Sequence, residues 1–186
     1  MKNIVFILSL IFTSNLLYAD NYRALLKQGE KYLNAHKVDK AIESLEKVCE
    51  SKQAKKSYKA KSCEWLMAIY SGYFEYTGLK QYSEIKDDEK KIKYATMACD
   101  FGSATSCSNM GYYYEKGNGV EVDLDKTTSY YIKACELQPK LYCNTLGVHY
   151  EFTIKDIESA LSTYKKACQS NKMWCANYDR LHENLK

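Results

Sequence analysis

The chain has 186 residues, 46% hydrophobic and 27% charged, with a formal net charge of +4. That length suffices for one compact domain or one short repeat array, and no second apolar stretch follows the one at the start. Lys outnumbers Arg 25 to 2 and is scattered among Glu and Asp, which argues against a nucleic-acid reader with its clustered basic face.

Met1-Lys2-Asn3 supplies a positive charge, Ile4 to Phe12 an apolar run, and Leu17-Tyr18-Ala19 a small residue before Asp20. This pattern predicts a secretory signal peptide over residues 1–19, too short for a spanning helix, which needs about 20 apolar residues. Residues 20–186 are then one exported domain, periplasmic or secreted, with no stable membrane insertion after cleavage. One Pro, eight Gly and little alternation of β-branched residues predict an all-α domain. Helices are expected near 22–34, 38–50, 58–76, 86–100, 104–116, 124–137, 140–151, 155–169 and 173–185, the last covering the apolar edge of the preceding pair as repeat stacks require.

Eight cysteines are spaced along these helices: Cys49, Cys63, Cys99, Cys107, Cys135, Cys143, Cys168 and Cys175. An even number in an exported chain predicts a disulfide framework. Sequence neighbours are separated by 14, eight, eight and seven residues. Eight residues of helix rise about 12 Å, whereas bonded Cα atoms lie about 4.4–6.8 Å apart, so each bonded pair needs a turn between its members. Gly102, Pro139 and Ser170-Asn171 supply turns in three intervals, and a polar Lys-rich stretch fills the fourth. Each bridge would clip one helix end to the next helix start, contributing up to about 2.6 kcal/mol for a nine-residue ring by loop-closure entropy. No C-x-x-C occurs and His36, His149 and His182 are dispersed, so no metal site and no cofactor is expected.

A shift of 36 residues lays Cys99 on Cys135, Cys107 on Cys143, Gly111 on Gly147 and Tyr114 on Tyr150. Counted from the second cysteine of each pair, position +3 is Leu66, Met110 and Leu146, position +4 is Met67, Gly111 and Gly147, and position +7 is Tyr70, Tyr114 and Tyr150. These positions form one apolar helix face. The partner helices end in YATMAC, YIKAC and YKKAC.

The stretch MGYYYEKGNGVEVDLDK (110–126) resembles the Sel1-like repeat signature, and the added C-x₇-C pairs resemble the Helicobacter cysteine-rich proteins. The resemblance spans roughly residues 22–186 and implies an α/α solenoid of about four Sel1-like, TPR-like hairpins with inter-helix disulfides and a C-terminal capping helix. In the fourth hairpin EFTIKD replaces the G-x-G loop, which predicts a shortened turn. The resemblance further implies penicillin binding with weak β-lactamase activity. The residues give that activity little support. Serine enzymes of this type combine S-x-x-K with S-D-N and K-T-G, and the three S-x-x-K matches (Ser44–Lys47, Ser83–Lys86, Ser162–Lys165) are close to the roughly two expected by chance.

Repeat stacks bind along their concave side, lined by first helices. The stripe at +1, +5 and +8 points away from the apolar face. It comprises Glu64, Ala68 and Ser71, then Ser108, Tyr112 and Glu115, then Asn144, Val148 and Glu151. The expected function is a monomeric binding scaffold for a peptide, protein or peptidoglycan fragment held at this stripe.

Overall fold

The computed structural model describes residues 21–72 and 85–185, so the expected signal peptide and Ser83 lie outside the described residues. The chain divides into two compact units, with the boundary in the sequence between Phe101 and Gly102. Both are all-α among the described residues, each a succession of helix hairpins.

The first unit contains α1 over 21–34, α2 (Val38–Cys49), α3 (Lys56–Tyr70) and α4 (Asp88–Asp100). Its core is built from Leu26, Leu33, Leu45, Val48, Leu66, Ile69 and Tyr94, all buried. The helix expected over 58–76 stops at Tyr70, because Gly72 takes the left-handed backbone region at φ 73° and turns the chain out of the helix.

The second unit contains α5 (Ala104–Lys116), α6 (Leu124–Leu137), α7 (Pro139–Val148), a π-helix (His149–Ile154), α8 (Ile157–Ser170), a 3₁₀ turn (Lys172–Trp174) and α9 (Cys175–Glu183). α5 and α6 follow the sequence expectation, and Pro139 opens α7, where its missing N–H costs nothing. The fourth hairpin has the shortened turn its sequence predicts. The first helix runs past the expected end at 151 by widening into the π-helix, and closes at Lys155, whose backbone is left-handed at φ 63°. Gly117 holds the equivalent role in the third hairpin at φ 71°.

One bond recurs in every hairpin that carries the +7 tyrosine. The backbone N–H of Asp87, Asp123 and Asp156 donates to the carbonyl of Tyr70, Tyr114 and Tyr150, at 3.0, 3.0 and 2.9 Å. Those pairs are 17, nine and six residues apart, so the closing bond is kept while the loop varies. Each Asp then caps the helix it starts, its carboxylate accepting from the N–H of Lys90, Lys126 or Ser159.

Glycine sets how closely paired helices approach. A Cβ on Gly111 would lie 2.6 Å from the Tyr131 ring, one on Gly147 2.5 Å from Tyr164, and one on Gly29 2.8 Å from Leu45. The ring or branched side chain sits four residues before the hairpin's own cysteine in each case. In the second hairpin the sizes are exchanged, with Met67 at the glycine position and Ala95 at the large one, both buried.

The disulfides join sequence neighbours: Cys49–Cys63 with Cα atoms 5.2 Å apart, and Cys135–Cys143 and Cys168–Cys175 at 4.4 Å each. Cys99 and Cys107 are also disulfide-bonded, and no described cysteine is free. Four such pairs fit an oxidising compartment, periplasmic or extracellular. Among the described residues no helix is long and apolar enough to cross a membrane.

Candidate functional site

The stripe is best defined in the second unit, where two hydrogen bonds hold α5 beside α7 and its π-helix. The Tyr142 hydroxyl donates to Thr105 Oγ1 at 2.9 Å, and Thr153 Oγ1 donates to Glu115 Oε1 at 3.2 Å. The +5 positions on these neighbouring helices are solvent-facing and apolar, Tyr112 48% exposed and Val148 38%. Phe152, on the π-helix, is 64% exposed.

The two +8 carboxylates are not free. Glu115 accepts from the Tyr131 hydroxyl at 3.2 Å as well as from Thr153, and Lys116 lies 3.6 Å away. The Glu151 side chain is only 8% exposed; it accepts from the Tyr164 hydroxyl at 2.8 Å and pairs with Arg180 at 2.7 Å. The Arg180 hydrogen bond, opposed by burial and aided by Tyr164, holds Glu151 below the usual carboxylate range. Burial, reinforced by the facing carboxylates, raises the Tyr131 and Tyr164 hydroxyls well above theirs. Asn144 Oδ1 accepts from Asn177 Nδ2 at 2.9 Å, and Ser108 is half-buried. The stripe therefore presents apolar side chains flanked by amides and satisfied charges. Sequence spacing gives a mix of carboxylates, small polar groups and one tyrosine, but spacing does not reveal that a tyrosine of the second helix reaches under Glu115 and Glu151.

In the first unit Glu64 is half-buried and pairs with Lys61 at 3.3 Å, while Ser71 donates to the Ala68 carbonyl at 2.8 Å. The tyrosine–carboxylate pairing recurs there with different donors. Tyr94 donates to Glu46 on α2 at 2.8 Å and to Glu50, which caps the C-terminal end of α2, at 3.2 Å, and Lys93 donates to Glu50 at 2.7 Å.

His149 is the residue that sequence reasoning missed. It is 2% exposed, its Nε2 lies 2.9 Å from Thr128 Oγ1, and its ring meets Tyr131 edge-on at 5.3 Å. Nδ1 has no hydrogen-bond partner. Burial lowers its pKa, with Glu115 opposing. A signal existed at position +6, where Ile69 and Tyr113 are also buried, so a histidine at that register belongs to the core.

An open depression of about 290 Å³ lies between α7 with its π-helix and α8, lined by Leu146, Tyr150, Glu158, Ser159, Ser162 and Thr163. Thr163 Oγ1 is committed to the Ser159 carbonyl at 2.7 Å. Ser44, in the first S-x-x-K match, donates to the Lys40 carbonyl at 2.9 Å, and Lys47 pairs with Glu43 at 2.6 Å. That serine and lysine are thus not arranged as nucleophile and base. Among the described residues no group of three His, Cys, Asp or Glu is placed to hold a metal ion.

Residues 104–139 match the family model described as Sel1 repeat. Among solved structures the chain is similar to a Sel1 repeat protein from Oxalobacter formigenes, at 24% identity and a TM-score of 0.51. The match covers 82% of this chain and 59% of that one, so the chain spans less than two thirds of the relative's length. Comparison with curated proteins gives no match. The chain therefore carries a Sel1 repeat over 104–139 and has the helical-hairpin fold of Sel1 repeat proteins.

Proposed function

We propose that the protein is an exported, disulfide-stapled Sel1 repeat scaffold that binds a peptide or protein through the first-helix stripe of its second unit. The observation that carries this reading is the exposure of Tyr112 and Val148 at one register on neighbouring helices, beside carboxylates already satisfied by tyrosine, threonine and arginine. Such a surface loses little on desolvation, because its charges are paired before a partner arrives. Asn144 and Asn177 offer amide groups that can exchange their mutual bond for a peptide backbone.

The test places a photo-crosslinking residue at position 112 or 148, and at exposed Lys165 as control, in the oxidised chain presented with periplasmic and secreted proteins. A discrete adduct at 112 and 148 and none at 165 is the expected result. Equal labelling at all three positions would remove the stripe as the binding face. The likeness to the Helicobacter cysteine-rich proteins raises β-lactam hydrolysis as the other reading. The arrangement of Ser44 and Lys47 gives it no support, and nitrocefin is expected to remain intact with the oxidised protein.

A further inference from the structure

The four disulfides are not equally protected. Cys49, Cys63, Cys99, Cys107 and Cys143 have no exposed surface and Cys135 is 2% exposed, whereas Cys168 and Cys175 are half-buried. Cys175 opens α9 directly after the 3₁₀ turn Lys172–Trp174, its backbone N–H donating to the Lys172 carbonyl.

Beyond this bond α9 is lightly held. Leu181 is its one buried residue, packed with Ala160 and Tyr164 and flanked by Tyr178. Its polar anchors are Asn177 on Asn144 and Arg180 on Glu151. Trp174, just before it, is pinned separately by donating its indole N–H to the Lys140 carbonyl at 2.8 Å.

We propose that Cys168–Cys175 is a redox-sensitive strap whose reduction by a dithiol releases α9 and uncovers Asn144 and Glu151 on the α7 side of the second unit. A thiolate of the dithiol attacks Cys168 Sγ and Cys175 leaves as thiolate. The second thiol of the reductant then displaces Cys168 from the mixed disulfide. The protein gains two electrons and two protons as two thiols, and the dithiol becomes a disulfide. The release does not depend on what the stripe binds.

The oxidised chain is treated with limiting dithiothreitol, alkylated, and mapped by mass spectrometry alongside amide hydrogen exchange. Cys168 and Cys175 should be alkylated at least about tenfold faster than Cys135 and Cys143. Exchange should rise over 175–183 while α5 to α8 stay protected. A Cys168→Ser, Cys175→Ser double variant should show the same exchange pattern without any reductant. Simultaneous reduction of all four pairs would overturn the proposal. So would an α9 that stays protected after reduction or in the double variant, or a double variant that loses protection throughout.

Discussion

Two single residues of the fourth hairpin carry opposite predictions. Gly147 leaves no room for a Cβ against the Tyr164 ring, which is itself fully buried and cannot retreat. Gly147→Ala should therefore destabilise the protein by about 1–3 kcal/mol through overpacking, read as a lower guanidinium midpoint at unchanged slope. Lys155 sits at φ 63° where the third hairpin uses Gly117, so a side chain bears a left-handed backbone that glycine adopts freely. Lys155→Gly should raise stability by about 1 kcal/mol in the same assay. His149 sets a pH dependence. Its folded pKa is depressed below 6.5 by burial, so the unfolded chain binds the extra proton first as pH falls. Its contribution is complete above 6.5 and is lost as pH drops from there through the folded value. Urea unfolding between pH 7 and about 5 should show declining stability, and His149→Gln should flatten that decline. The lowered carboxylates act in the same direction below about 4.5, which separates the two ranges.

At the scale of the element, the hairpin is defined by its closing bond more than by its loop. The aspartate N–H reaches the +7 tyrosine carbonyl whether the pair is 17 or six residues apart. With only six, the first helix must end closer to the start of the second, and the wide turn from His149 to Ile154 takes up the difference. A π-bulge of this kind re-aims the side chains it carries, here leaving Phe152 exposed and His149 buried. The contact between α9 and the π-helix supplies a further prediction. Arg180→Ala would leave the nearly buried Glu151 with Tyr164 alone, at a cost of roughly 1–2 kcal/mol. The Glu151 carboxyl should then titrate higher than in the parent protein, which side-chain carboxyl NMR would register. Loss of stability without that upward shift would count against the pairing.

For the whole molecule, the periodicity of 36 residues, the cysteine spacing and the small-residue register were sufficient to read an all-α chain of Sel1-like hairpins stapled between neighbours. These features are local. A glycine four residues past a cysteine and a tyrosine four residues before the next both declare a close helix pair, because one cannot be enlarged without the other giving way. The helix ends at Asp87, Asp123 and Asp156 follow from side-chain capping within one turn, which sequence also encodes. What only the tertiary structure decided is the character of the stripe. Glu115 and Glu151 look like free carboxylates at outward positions until Tyr131, Thr153, Tyr164 and Arg180 arrive from elements 13 to 38 residues away. The burial of His149 and the unequal protection of the disulfides belong to the same class. Each depends on which distant side chains fill the space around a residue, and a one-dimensional pattern specifies the face of a helix without specifying what packs against it.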